Sequence, residues 1–385
     1  MKLLFCERNA LMQHDLKEAL IQLGISYRCA SYVFSNPDSD DYYCSHLSQF
    51  LKEDAYDAVF SFNFIPVIAD VCYELDVPYI VWNYDAGWEF NRTDALFYPT
   101  NHIFHFDKKA CEVYKQMGYS NIVHMPLATN CKRLDAMPVT DMIRQQYTSK
   151  ITFLGSLYEQ FAKNTPDFFS TLHPDDSSDI LQYIEQESMN YCHHSLWDHF
   201  TPSVVMQISS RSSMTQPLDP LTLITASASM IAGRQRSVLL NQIAKQFPLT
   251  LYSNSDAMLV PDADYRWRAM YYSQMPYIFR YATINLNLTI PSIQTGMPLR
   301  ILDILGAGGF LLTNEQEELS DYFKTGTDLE TFHNLEELME KVNFFLNHQE
   351  AAARIAQNGH EIVKNDFSFK KQLHKMFTLC DLPLS

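Results

Sequence analysis

Residues 284–314 read INLNLTIPSIQTGMPLRILDILGAGGFLLTN. Ile284, Leu286 and Leu288 alternate with polar residues at the period of a strand. The loop that follows ends at Gly296, and Pro298 stands where a first helical turn tolerates a residue without an amide proton. Leu299–Leu305 then has the spacing of a short helix, Gly306-Ala307-Gly308-Gly309 stops it, and Phe310–Thr313 opens the next strand. The amino terminus of that helix lies behind a glycine-containing loop at the strand ends, a placement that suits a diphosphate. Arg300 and Asp303 are its only charges, and two readings stand side by side. They form an i,i+3 ion pair on a solvated face, worth roughly 0.3 kcal/mol, or Arg300 grips a phosphate in bidentate fashion while Asp303 accepts protons from ribose hydroxyls.

Working outward, short β-rich runs alternate with amphipathic segments through the first third of the chain. The runs are Leu3–Cys6, Tyr27–Val33, Asp57–Phe62, Tyr79–Asn83, Ile103–Phe106 and Ile122–Met125. Between them lie helical patterns such as His14–Leu23 and Ala110–Met117. A second series starts at Ile151–Leu154 and resumes at Leu249–Tyr252, Ile284–Leu288 and Phe310–Thr313. Alternation of this kind predicts an α/β fold of two Rossmann-like, doubly wound parallel sheets, with ligand loops at the strand carboxyl ends across a shared cleft. The expected domains are 1–145, 146–365 with a helical insertion over about 158–232, and a terminal segment 366–385.

Composition narrows the partners. The chain has 385 residues and a net charge of −16, with 46% hydrophobic and 19% charged residues. That is a globular composition, and its field repels nucleic acid, so no nucleic-acid partner is expected. The eight cysteines are scattered without a C-x-x-C pair, the pattern of reduced thiols in a cytoplasmic protein. The start, MKLLFCERNALMQHDL, lacks a basic leader, and no run approaches the roughly 18 apolar residues of a membrane span. The expectation is a soluble chain, peripheral contact with a membrane being the most it would make.

The run GMPLRILDILGAGGFLL, followed by Asp328–Phe332, Leu335–Leu346 and Arg354–Gly359, resembles the carboxy-terminal half of the CgeB-like, group 1-related glycosyltransferases of GT-B fold. Ile151–Tyr158 (ITFLGSLY), Gly233-Arg234-Gln235-Arg236, Pro78–Asp85 and Met125–Asn130 resemble other pieces of the same proteins. The resemblance implies transfer of a sugar from a nucleotide-diphosphate co-substrate to a glycan, lipid-linked or protein acceptor, without a further cofactor or metal. It implies two acidic residues eight apart, one for the sugar and one for the ribose. Asp303 takes the second place; Thr295 stands at the first, so the sugar hydroxyls would fall to backbone amides at Gly296 and Met297. The leaving diphosphate would be met by Gly155 and Ser156, by Arg234 and Arg236 at an expected helix start, and by Arg300.

The first half would hold the acceptor and any general base. Glu7 and His14 lie in the loop after the first strand and Asp85 follows the fourth, so all three are expected at strand carboxyl ends. Asp85 stands among Trp82, Tyr84 and Trp88, aromatics that would stack on a sugar or fill the core. The cluster Cys192-His193-His194…Asp198-His199 reads as a polar helix in preference to a metal site, because zinc takes three or four converging ligands. Tyr265–Tyr281 mixes arginines with tyrosines and reads as a helix lining the nucleotide site or as core. The resemblance also implies a final helix, Phe367–Phe377, that crosses back to the first domain. Two rival readings share this architecture: a nucleotide-sugar epimerase, and a non-catalytic GT-B module in surface or coat assembly.

Overall fold

Parallel strands buried on both faces read as unbroken apolar runs, because helices cover both sides of such a sheet. AVFSF and YIVWN of the first half are of this kind and are buried throughout. In the computed structural model, which describes residues 1–8, 10–87, 90, 92–159, 167–214 and 218–382, they form β3 (Ala58–Phe62) and β4 (Tyr79–Asn83). With β1 (Lys2–Cys6), β2 (Ser26–Ala30), β5 (Asn101–His105) and β6 (Ile122–His124) they make a six-stranded sheet of order β2-β1-β3-β4-β5-β6. Every pairing in it is parallel. β2 ends three residues earlier than expected, since Asp40 draws the following segment into a turn by accepting from the amide and hydroxyl of Ser35.

The crossovers are α1 (Gln13–Gln22), α2 (Asp41–Glu53), α3 (Pro66–Glu74) and α4 (Lys108–Gln116). Asp40 caps α2 through the amide of Tyr43 and Asp107 caps α4 through that of Ala110, each satisfying an amide the helix leaves open.

Beyond α5 (Cys131–Asp135) and α6 (Asp141–Tyr147) comes the second sheet. Its strands are β7 (Ser149–Leu154), β8 (Leu249–Tyr252), β9 (Asp264–Arg266), β10 (Ala282–Asn287), β11 (Leu311–Asn314) and β12 (Glu330–Phe332). They are all parallel, in the order β12-β11-β10-β7-β8-β9. Between β7 and β8 the chain builds the expected helical layer from α7 (Pro174–Glu187), α8 (Leu196–His199), α9 (Pro202–Arg211) and α10 (Pro220–Gln246). Ile180, Ile184, Leu196, Phe200, Val205 and Ile208 pack there against Leu223, Ile224, Ala228 and Ile231 of α10.

The helix α10 starts at Pro220, capped by Asp219, and runs unbroken through Ala232 and Gly233. Its first half belongs to the helical layer. Its second half is the crossover from β7 to β8 and contributes Leu239, Leu240 and Ile243 to the core of the second sheet. Gly233 and Arg236 are therefore mid-helix. The expected helix start at Gly233 is wrong because Pro220 supplies the true one, and the argument that cations there must face an anion falls with it.

The quoted stretch folds as read. β10 follows α11 (Met275–Tyr281) in the chain and leads through the loop to α12 (Leu299–Gly306) and then β11. The glycines close α12 with amides of Gly308 and Gly309 donating to the carbonyls of Leu305 and Ile304, both at 3.0 Å, and Gly308 takes φ 77°. That pairing is a Schellman stop, in which a left-handed glycine satisfies two final carbonyls. The chain ends with α13 (Leu335–Asn347), α14 (Gln349–Asp366) and α15 (Phe369–Leu379).

Two units emerge from the packing. One holds Met1–Asn130, Thr295–Leu302 and the segment from Lys364 onward; the other holds Cys131–Gln294 and Asp303–Val363. Within the first, α15 lies on α1, Phe369 meets Trp82 with ring centres 5.7 Å apart, and the amide of Thr129 donates to Phe367 at 3.0 Å.

Candidate functional site

In a doubly wound sheet, adjacent strands whose crossovers leave in opposite directions open a crevice at their carboxyl ends. In the first sheet this point lies between β1 and β3. A cavity of about 580 Å³ opens at these strand ends, lined by Glu7, Arg8, Ala10, Ser31, Val33, Phe62, Asn63, Tyr84 and Asp85. Glu7 and Asp85, far apart in sequence, are thus brought to one site. His14, in the first turn of α1, does not line it. Trp88 lies outside the described residues.

The two carboxylates differ. Glu7 pairs with Lys17 at 2.7 Å. Burial works to raise its pKa, but the Lys17 ammonium outweighs that and holds the carboxyl below its usual value, so Glu7 is a fixed negative charge and a weak base. Asp85 is exposed at the cavity mouth and accepts from Asn63 Nδ2 at 2.6 Å. Tyr84 presents its ring to the cavity, edge-on to Phe62 with centres 5.9 Å apart. Trp82 is fully buried and packs against Phe62 and Phe369, so its surface is spent on the core.

Also in the first unit, Thr295 meets the start of α4. Its hydroxyl donates to Asp107 Oδ1 at 3.1 Å and accepts from the amide of Lys109 at 3.2 Å. A Cβ on Gly296 would come within 2.9 Å of Asp107 Cα, so this close seating requires glycine. Met297 is buried beside it. The amide of Asp107 donates to His105 Nδ1 at 3.1 Å, leaving the ring proton to Nε2. Burial is the main reason that His105 is pushed down to about 4, which keeps it neutral at physiological pH.

In the second sheet the switch point lies between β7 and β10. Gly155 and Ser156 follow β7, and Leu288 and Thr289 follow β10. Arg236, from α10, lies across both: Nη1 donates to the carbonyl of Ser156 at 2.7 Å and Nη2 to that of Leu288. Its guanidinium is sandwiched 5.4 Å from the Phe153 ring and 4.8 Å from the Tyr158 ring. The approach depends on Gly233, where a Cβ would sit 3.0 Å from the carbonyl of Leu157. Buried amides fix the neighbouring strand ends: Asn287 donates to Thr289 and Thr313, both at 2.9 Å, and Asn314 accepts from the amide of Thr289 at 2.8 Å. Arg234, two residues before Arg236, points from a different face of the helix and is exposed.

Asp303 is buried and accepts from the hydroxyl of Tyr271 at 2.9 Å. Arg300 is half-buried in the first turn of α12. Tyr271 lies in the loop before α11; the stretch expected as one helix over Tyr265–Tyr281 divides into β9, that loop and α11, because Pro276 starts the helix afresh. The His-rich cluster also differs from its reading. Among the described residues α8 begins only at Leu196, so His194 and Asp198 do not share a helical face. His194 pairs instead with Glu187 at 3.1 Å, and His199 stacks on Tyr183 with centres 3.8 Å apart.

Sequence reasoning missed Asn63 and Tyr271. Asn63 had a signal: an asparagine directly after an apolar strand is a frequent left-handed residue. Tyr271 stood only within the Tyr265–Tyr281 stretch expected to line the nucleotide site or fill the core, and nothing local picked it out, since its partner is 32 residues away.

Residues 234–378 match a family model described as glycosyl transferase-like. No curated protein sequence matches the chain significantly. Among solved structures, the chain is similar to Anabaena Alr3699/HepE in complex with UDP-glucose (TM-score 0.58, 12% identity, 99% of this chain and 100% of that one). It is also similar to a glycosyltransferase from Rickettsia africae (TM-score 0.56, 9% identity, 98% and 97%), and to WaaG, a glycosyltransferase involved in lipopolysaccharide biosynthesis (TM-score 0.51, 11% identity, 98% and 99%). At such identities the likeness shows the fold, which is GT-B, with two Rossmann-like parallel sheets.

Proposed function

We propose that this chain is a glycosyltransferase that moves a sugar from a nucleotide-diphosphate donor to a hydroxyl of a glycan, lipid-linked or protein acceptor. The observation that carries the reading is the pair of furnished switch points, one per sheet; β10, Arg236 and α12 fall inside the segment that matches a glycosyl transferase-like model, while β7 lies before it. A UDP-glucose-bound neighbour of the same fold supports a nucleotide-sugar donor, and WaaG supports bacterial surface glycan or glycoconjugate synthesis as the setting. A cytoplasmic enzyme of CgeB-like type fits these features; among the described residues no helix is long and apolar enough to cross a membrane.

In this reading the donor binds at the second switch point. Gly155 and Ser156 meet the diphosphate there, and Asp303, steadied by Tyr271, takes the ribose hydroxyls; Gly296 and Met297 offer backbone amides to the sugar, and Arg300 offers a guanidinium to the diphosphate. Arg236 sets the two strand-end loops and adds positive potential, while Arg234 gives long-range attraction. The acceptor enters the cavity at the first switch point. As its oxygen bonds to the anomeric carbon, the bond from that carbon to the diphosphate breaks and its electron pair leaves with the diphosphate. The acceptor proton passes to Asp85, with Glu7 as a fixed charge and His14 at the margin of the acceptor site. No step calls on a metal ion.

Saturating UDP-, GDP- and dTDP-sugars are expected to raise the melting temperature for at least one base, and Arg300→Ala and Asp303→Ala to abolish the rise. No shift and no donor hydrolysis with any of them would overturn the reading. Thr295, spent on Asp107 where group 1 relatives have an acid, favours a second reading as a non-catalytic module; donor binding without turnover across an acceptor panel would support it. Donor epimerisation without acceptor, followed by NMR, would instead identify an epimerase.

A further inference from the structure

We infer that Asn63 is the positioning residue of the acceptor cavity: it sets the direction of the Asp85 carboxylate and the course of the loop that carries it. The inference rests on the reading of that cavity as the acceptor site and deepens it.

Asn63 is the first residue after β3 and has φ 57°, a left-handed conformation that costs most side chains about 1 kcal/mol or more and that asparagine tolerates best after glycine. Its backbone is fixed on both sides. The amide donates to the carbonyl of Trp82 at 3.2 Å, and its carbonyl accepts from the hydroxyl of Ser61 at 2.8 Å. That hydroxyl in turn lies 2.7 Å from the hydroxyl of Tyr79, buried in the core of the unit. The left-handed turn aims the side chain across to the end of β4. There Nδ2 donates to Asp85 Oδ2 at 2.6 Å, while Oδ1 accepts from the amide of Tyr84 at 3.0 Å and, more weakly, from that of Asp85 at 3.4 Å.

One carboxamide thus does two separable things. Its oxygen clasps the backbone at the start of the loop, and its nitrogen holds Oδ2 of the Asp85 carboxylate in place. A donor to the ionised carboxylate also favours ionisation. Among the described residues, the charged groups that share the cavity with Asp85 are Glu7, tied to Lys17, and Arg8, whose guanidinium lies 4.7 Å above the Phe34 ring. Asn63 is neutral, and its backbone is rooted in the core of the unit.

Two variants part the functions. Asn63→Gly keeps the left-handed backbone and removes both contacts. Asn63→Asp keeps an oxygen for the Tyr84 amide but places a second carboxylate against Asp85. Hydrogen exchange at the Tyr84 amide and the Asp85 carboxyl titration by 13C NMR, assigned with Asp85→Asn, read the clasp directly. Asn63→Gly is expected to speed Tyr84 exchange at least about tenfold and to raise the Asp85 midpoint. Asn63→Asp is expected to leave Tyr84 exchange near wild type while raising that midpoint further. With an active donor–acceptor pair, both should lower kcat by about a hundredfold, as expected for a misdirected group. The donor KM should stay within about twofold and the acid limb of the pH profile should move upward. Unchanged Tyr84 exchange and Asp85 titration in Asn63→Gly would overturn the clasp, and a changed titration with an unchanged kcat and pH profile would overturn its positioning role. If no nucleotide sugar binds the wild type, the glycosyltransferase reading fails while the exchange and titration still decide the clasp.

Discussion

Gly309 and Gly308 are neighbours with opposite reasons to be glycine, and replacing each by alanine separates a steric cost from a conformational one. Gly308 has φ 77°, and a methyl group placed on it would have nothing within 4 Å, so Gly308→Ala carries only the left-handed penalty, about 1–2 kcal/mol. A Cβ at Gly309 would sit 2.6 Å from the carbonyl oxygen of Phe279 and 2.7 Å from Asn285 Nδ2. Neither neighbour can give cheaply. The first is backbone, and the second is a buried amide donating to Phe279 at 2.9 Å and Phe310 at 3.2 Å. Forcing a methyl group in costs about 1–3 kcal/mol of overpacking, and displacing the amide forfeits two hydrogen bonds of about 1 kcal/mol each. Gly309→Ala should therefore destabilise the second unit by about 3–5 kcal/mol, a fall in melting temperature on the order of 10 °C. Scanning calorimetry of the two variants beside wild type checks it. If Gly309→Ala proved no more destabilising than Gly308→Ala, the claim that this sheet and α12 meet at glycine distance would be refuted.

Three further outcomes concern the second unit. Arg236→Lys keeps the charge but loses the fork that spans Ser156 and Leu288; a nucleotide sugar should bind about tenfold more weakly by calorimetry, and Arg236→Ala should additionally cost about 2–3 kcal/mol in urea denaturation by leaving those carbonyls unpaired. Tyr271→Phe removes the hydroxyl that steadies Asp303, and the donor KM should rise roughly tenfold, in line with a lost hydrogen bond to a charged group, while the ligand-free chain loses about 1–3 kcal/mol in urea denaturation. His333 stands between Glu337 at 2.9 Å and Glu315 at 2.6 Å, and the Glu337 contact is the main cause that lifts its pKa above the ordinary value. A raised folded pKa gives stability that is full below the unfolded pKa and is lost as pH climbs through the folded one. His333→Gln should thus lower the urea midpoint more at about pH 5.5 than at about pH 8.5; an equal loss at both would show that the imidazolium contributes nothing.

How much of this was legible in the sequence depended on whether the signal was local. The strands β3 and β4 announce themselves because burial on both faces leaves them no polar period, and the Schellman stop of α12 is written in four adjacent letters. Asp85 and Glu7 could be sent to strand carboxyl ends from chain order alone, and the cavity does bring them together. The start of α10 escaped because the run ASASMIA, Ala226–Ala232, is buried almost all round and has no polar stripe for a period to show; without one, the arginines after Gly233 looked like a beginning. His194 escaped because it lies in the loop before α8 and turns back to Glu187 at the end of α7. Thr295 was read as a gap in an acidic pair, and only the folded chain shows its hydroxyl engaged with Asp107, 188 residues away.

The unbroken course of α10 has an engineering consequence. Twenty-seven residues at the helical rise make a rod about 40 Å long, one end clamped among the added helices and the other wedged under the strand that follows it. Anything that levers the outer end, whether a bound macromolecule or a graft, reaches Arg236 as a tilt with no soft joint to absorb it. Trimming the chain back to a minimal two-sheet core must therefore respect that rod, because a cut at Gly233 would save the sheet's connection and leave the guanidinium without its shaft.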